Sequence, residues 1–270
     1  ARPFAGVMTP KKTGMKSADL TAVVAAMEKE LRVAEVPDYP GAHNGLQLAS
    51  RPGRVTRVAA AVDACETVVT QAVAAGADLL LVHHGMFWSG AQRIDGALFR
   101  KLAAAIDGGL AIYSSHLPLD VHPVLGNNAQ LAAALGLRKP EPFFPWKGMP
   151  LGLRVTLNED RDALVGRVRA AVGGGAVHLC PGGPVRVRRL GIVTGGAGAE
   201  VAAAAAAGID TFLTGEGPHW SYTLAEELGV NVIYAGHYAT ETFGVRALGR
   251  WLERKFRLPP TQFIDHPSGL

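Results

Sequence analysis

Leu79-Leu80-Leu81-Val82 is an unbroken run of large apolar residues, bounded by Asp78 on one side and by His83-His84-Gly85 on the other. Such a run is too short for a helix core. It is the pattern of a strand covered on both faces, as in parallel sheets whose crossovers lay helices on either side. The flanking segments agree. Val55 to Val62 alternates like a strand, Glu66 to Ala75 and Ala97 to Ile106 read as helices, and Leu110 to Ser114 reads as a further strand. Ahead of them Leu20, Val23, Val24, Met27 and Leu31 recur at helical spacing behind Ser17, a candidate N-cap. Strand–helix alternation of this kind predicts an α/β sheet with parallel members.

The pattern resumes after a break. A helix over Asn128 to Leu135 stops at Gly136, and Lys139 to Pro150 is dense in proline and aromatic residues, which suits a crossing between two substructures. Strands are then expected at Gly152 to Leu157, Ala176 to Leu179, Val185 to Val193, Thr211 to Thr214 and Val230 to Tyr234. Helices are expected at Arg161 to Val172, Ala199 to Ala207, Ser221 to Leu228 and Ala239 to Phe256. In the last of these Val245, Leu248, Leu252 and Phe256 share a face. With 270 residues, 48% of them hydrophobic and 19% charged, the chain has material for one large domain or two modest ones.

Several function classes recede. No stretch approaches the roughly 20 apolar residues that span a bilayer. The residues through Lys16 carry no continuous apolar core and do not read as a secretory signal. Cys65 and Cys180 stand far apart with no CxxC pair, which fits a reducing compartment, and the cytoplasm is the expected location. A net charge of +4 permits binding to nucleotides or nucleic acid without demanding it. Arg186, Arg188 and Arg189 read as a solvated strand face rather than a phosphate patch. There is no GxSxG elbow and no P-loop. Thr194-Gly195-Gly196-Ala197-Gly198 reads as a tight strand-to-helix turn before it reads as a phosphate cradle.

The chemistry gathers where strands end. His83 and His84 directly follow the buried run, the carboxyl end of a strand being where open α/β sheets collect ligands. Tyr113 to Pro123 follows another strand and supplies His116, Asp120 and His122. Asp120 is the attractive ligand because a carboxylate can bridge two cations, whereas His116 reads as a residue that supports a ligand or faces substrate, and His122 as a turn residue. His237 and Glu241 lie four apart at a helix start, hence on one face. Thr214 to Trp220 adds Glu216, a candidate base, and His219, a candidate proton shuttle. Three histidines and two carboxylates make the mixture that a two-cation hydrolytic site requires.

With those residues in hand, the chain resembles the NIF-three-like family of dinuclear-metal proteins, known as GTP cyclohydrolase I type 2 homologues. The resemblance rests on His43-Asn44-Gly45-Leu46-Gln47, on Val82 to Trp88 (VHHGMFW), and on Ser115 to Ala132 (SHLPLDVHPVLGNNAQLA). It continues in Thr214 to Gly217 (TGEG) and Gly236 to Leu248 (GHYATETFGVRAL). It implies metal ligands at His83, His84, Asp120, His237 and Glu241. It also implies two interlocked α/β units with mixed sheets, residues 1–125 plus 232–270 forming one and 126–231 the other, with the metals in the cleft between them. A homohexamer built from dimers is implied as well. One departure is visible: many bacterial relatives carry Ser-Glu-Gln where this chain has Pro218-His219-Trp220.

The expected function is metal-dependent hydrolysis of a nucleotide or related heterocycle, using two divalent ions (zinc, iron, manganese or nickel). Glu216, His116 and His219 are the candidates for proton transfer. The alternative is a metal-loaded ring that binds partners or nucleic acid without turnover, for which the mild basicity speaks.

Overall fold

The computed structural model describes residues 16–269. The N-terminal stretch read as no secretory signal lies almost wholly outside them. The first half runs through β1 (Ala18–Asp19), α1 (Leu20–Glu30), β2 (Gly45–Leu48), β3 (Arg54–Val55), β4 (Val58–Asp63), α2 (Glu66–Ala74), β5 (Leu79–His84), α3 (Gly96–Asp107), β6 (Ala111–Ser114) and α4 (Leu117–Asp120). The cap of α1 is Asp19, whose carboxylate accepts from the Ala22 N–H at 3.1 Å, and not Ser17. The segment from Val55 to Val62 divides, because β3 pairs with β1 while β4 joins the main sheet. β5 runs through both histidines, so His83 and His84 are its last residues rather than residues beyond it.

The second half holds α5 (Asn127–Ala134), β7 (Glu141–Trp146), β8 (Met149–Asp160), α6 (Arg161–Ala171), β9 (His178–Pro181), β10 (Arg186–Ile192), α7 (Val201–Ala206), β11 (Thr211–Thr214), α8 (Trp220–Leu228), β12 (Asn231–Tyr234), α9 (His237–Phe256) and β13 (Gln262–Phe263). The proline-rich stretch expected as a crossing is a β-hairpin, β7 pairing antiparallel with β8. Its prolines are tolerated because β7 is an edge strand. The helix expected from Ala199 starts at Val201, after a 3₁₀ turn over Gly198–Glu200.

Two mixed sheets result, one of five strands in the order β13-β4-β5-β6-β2 and one of six in the order β7-β8-β10-β11-β12-β9. β4, β5 and β6 are mutually parallel, as are β10, β11 and β12, while β2, β8 and β9 run antiparallel to their neighbours. Each sheet is covered on both faces, which is why its central strands are apolar throughout. Leu79 and Leu81 face α1 and α9, whereas Leu80 and Val82 face α2 and α3. In the second sheet Leu213 faces α5 and α6, and Phe212 faces the side of α7 and α8. The expected return to the first unit at residue 232 falls inside β12, which belongs to the six-stranded sheet. The chain rejoins the first sheet's packing only with α9. No helix among the described residues is long and apolar enough to cross a membrane.

Candidate metal centre

Strand register places the first pair of groups. In the β4–β5 ladder Asp63 stands opposite His84, and the Asp63 Oδ1 lies 2.8 Å from His84 Nδ1. His83, fully buried, uses its Nδ1 on the Ser115 carbonyl at 2.9 Å. The turn after them is set by Gln47, whose Oε1 accepts from the Met86 N–H at 2.7 Å. Gly85 gives that amide its room, since a Cβ there would lie 2.1 Å from Gln47 Nε2.

The first turn of α9 contributes the second pair. Gly236, at φ +90°, turns the chain into the helix, and His237 and Glu241 then lie one turn apart with Nε2 and Oε2 separated by 3.1 Å. Glycines let two loops close on them. A Cβ at Gly195 would lie 2.2 Å from Glu241 Oε1, and one at Gly215 would lie 2.7 Å from His237 Cα. Asp120 arrives from α4, its Oδ1 accepting from Asn127 Nδ2 at 2.7 Å, which leaves Oδ2 at 3.4 Å from His83 Nε2.

A common pattern joins the imidazoles. His83, His84, His237 and His116 each direct Nδ1 at an oxygen acceptor 2.8–2.9 Å away: Ser115 O, Asp63, Glu216 and Asp38. Each Nδ1 therefore carries hydrogen and the Nε2 lone pairs are left for another partner, as in histidine metal sites with outer acceptors. Three of those Nε2 atoms surround Glu241, from His83 at 3.4 Å, His84 at 3.2 Å and His237 at 3.1 Å. His83 Nε2 and Glu241 Oε2 are buried and make no aligned hydrogen bond. Buried polar atoms without such bonds are uncommon, and here they belong to residues whose donor atoms are grouped closely enough to hold a cation.

The electrostatics agree. Burial favours neutral forms throughout. Even so, Asp120 and Glu241 raise the His83 pKa well above its ordinary value, and the imidazoles hold Glu241 well below the carboxylate range. His237, also opposed by burial, is raised to about 9 by Glu241 and Glu216. Without a metal, the carboxylates are compensated by imidazolium protons that a cation can replace.

Donor atoms fall within 4.8 Å of one another in the sets His84, His237, Glu241 and His83, Asp120, Glu241, with His83, His84, His116 as a third. All five residues expected as ligands are thus brought together, and Glu241 is common to two sets. His116 joins them, held by Asp38, whose carboxylate also takes Asn44 Nδ2 at 2.8 Å and the Leu117 N–H at 2.9 Å. Despite burial, His116, Asn44 and the Tyr39 N–H keep Asp38 below its ordinary pKa. Glu216 serves His237 directly. His219 is exposed and lines a separate pocket with Tyr222 and Tyr234, away from the metal-site residues. His122 accepts from the Leu125 N–H at 2.9 Å, as a turn residue does. Sequence reasoning missed Asp38, Asp63 and Asn127. Of these, Asp63 alone carried a local signal, a lone acid at the carboxyl end of an apolar strand.

Comparison with known proteins identifies the family. The family model described as Duf34/NIF3 (NGG1p interacting factor 3) matches residues 18–266. A Deinococcus radiodurans protein named GTP cyclohydrolase 1 type 2 homolog is 38% identical over 269 residues, covering 98% of this chain and 99% of its own. A Halobacterium salinarum protein of the same name is 41% identical over 256 residues, covering 93% and 100%. Among solved structures, one from Thermus thermophilus superposes with a TM-score of 0.84 at 37% identity, covering 94% of this chain and all of its own. The chain, by family match and by fold, is a member of the Duf34/NIF3 family.

Proposed function

We propose that the protein is a dinuclear metal-dependent hydrolase acting on a nucleotide or related heterocycle. The observation that carries this reading is the single buried carboxylate of Glu241 facing three imidazole Nε2 atoms whose Nδ1 atoms are already engaged. Glu241 is shared, with His84 and His237 on one side and His83 and Asp120 on the other. This donor set suits zinc, iron, manganese or nickel. Bound cations of this kind lower the pKa of water toward neutrality and polarise the bond under attack.

The chain's own residues supply the rest. His116, fixed through Nδ1 by Asp38, keeps Nε2 free to carry a proton at the edge of the cavity. Glu216 orients His237. The name carried by the relatives supports a cyclohydrolase-like reaction on a heterocyclic ring, and the motif resemblance supports a homohexamer. The test is metal content beside a His237→Ala, Glu241→Ala double variant, followed by a nucleotide and heterocycle screen. About two ions per chain in the parent, their loss in the variant and metal-dependent turnover are expected. A parent that takes up no metal on reconstitution would remove the reading.

A further inference from the structure

Beside the metal-site residues lies a cavity of about 580 Å³, within the roughly 300–1,000 Å³ of small-molecule sites. One wall is a succession of rings: Trp146 is 5.2 Å from Tyr39, Tyr39 is 6.0 Å from His116, and His116 is 4.8 Å from Trp88. Tyr39 and Trp88 remain 49% and 38% exposed, an apolar surface that the packing of the chain leaves uncovered. Trp146 is delivered by the β7–β8 hairpin, whose turn residues Lys147 and Gly148 both have positive φ, 45° and 84°. The Lys147 ammonium lies 4.4 Å above the Trp146 ring and donates to the Asp38 carbonyl at 3.2 Å, tying the hairpin tip to the loop that carries Tyr39.

The polar lining is the informative part. Among the described residues, no lysine or arginine lines this cavity, while Asp63 and Glu200 do. In the glycine loop the N–H groups of Gly195, Ala197 and Gly198 are spent on Thr240 Oγ1, Thr214 Oγ1 and the Glu216 carbonyl. Thr194 also lines the cavity, and among the described residues its buried hydroxyl has no hydrogen-bond partner.

We propose that this cavity takes an uncharged planar heterocycle, of nucleoside or pterin size, rather than a nucleoside polyphosphate. The ring stacks on the Tyr39–Trp146 wall and hydrogen-bonds to the Thr194 hydroxyl. The inference rests on the hydrolase reading and narrows its substrate class. A polyphosphate would meet the Asp63 and Glu200 carboxylates with no arginine or lysine among the lining residues, Lys147 lying outside that lining and donating to the Asp38 carbonyl. The cations are the one other anchor, and there the reading places the reacting ring atoms. Stacking on protein rings tolerates different bases, so the wall selects flatness and Thr194 selects an edge.

The test is equilibrium dialysis of the full chain after chelation, with guanosine, adenosine, pterin and the two nucleoside 5′-triphosphates as probes. At least one phosphate-free ring binds, and the matching triphosphate, for a nucleoside, binds about tenfold more weakly at low salt. Trp146→Ala weakens binding on the order of 5- to 150-fold, with recovery in Trp146→Phe, while both variants reload metal to the parent's level. Triphosphates binding as well as nucleosides, no ring binding at all, or indifference to Trp146→Ala would each overturn the proposal. Metal content separates the two ideas. Ions without ring binding sink this inference alone, and ring binding without ions sinks the hydrolase reading alone.

Discussion

His83 Nε2 and Glu241 Oε1 lie 3.4 Å apart, both buried, at the point where the end of β5 meets the first turn of α9. The two residues are 158 positions apart in the chain. His83 Nε2 lies equally close, 3.4 Å, to Asp120 Oδ2, and among the described residues it makes no aligned hydrogen bond. A protein held together by packing alone gains nothing from placing them so, because an imperfectly bonded buried pair costs free energy that an apolar pair does not.

Because Glu241 belongs to both donor sets and Asp120 to one, their amide variants differ. Asp120→Asn retains about one ion per chain, and Glu241→Gln retains close to none, read by elemental analysis after dialysis against a buffered metal pool. Equal losses in the two variants would contradict a shared carboxylate.

Asp63 touches no reacting group but fixes the ring of His84 through Nδ1 at 2.8 Å. Asp63→Ala is expected to weaken metal binding by about 10- to 100-fold, the usual effect of losing an outer acceptor. The metal-free variant melts within a few degrees of the parent, since Asp63 lies at the strand's exposed end. Unchanged affinity in a chelator competition assay would show that the contact does no work at the site.

How much of this could be read from the sequence depends on how local each signal is. The residues expected as ligands were legible because they cluster in short segments at strand ends and helix starts, where β5 and α9 are themselves plain from periodicity. Asp38 was not, because it sits in an irregular loop and meets His116 across 78 positions. The β7–β8 hairpin was hidden by its own composition. Pro142 and Pro145 argue against a strand, and only its edge position makes them tolerable. That misreading also concealed Trp146 as a cavity residue. β2 and β13 are too short for a periodic signal, and their places are set by the strands they join.

Gly215 is a structural requirement of the site. Any Cβ there would lie 2.7 Å from Gly195 O and from His237 Cα, and 2.8 Å from Thr240 Oγ1. Two of these are backbone atoms and cannot swing aside. Gly215→Ala should therefore destabilise the chain by about 1–3 kcal/mol in urea unfolding and displace His237, lowering metal affinity as well. A variant as stable as the parent, with full metal content, would mean that the loop relaxes without cost.

The last prediction concerns protons. In the metal-free protein burial opposes a charge on His237, but Glu241 and Glu216 raise its pKa from 6.5 to about 9. The folded state thus binds this proton more tightly than the unfolded chain does. The associated stability is fully present below pH 6.5 and is lost as pH rises through 9. The free energy of unfolding without metal should fall across that window. Metal uptake must expel the same proton, so affinity rises with pH up to about 9, by about tenfold per unit for each proton displaced. Calorimetric titration with zinc at about pH 7.5, in buffers of different ionisation enthalpy, reads the number directly. At least about one proton released per chain is expected. An enthalpy independent of buffer would show that the imidazoles are already neutral, and the compensation of Glu241 by imidazolium would have to be abandoned.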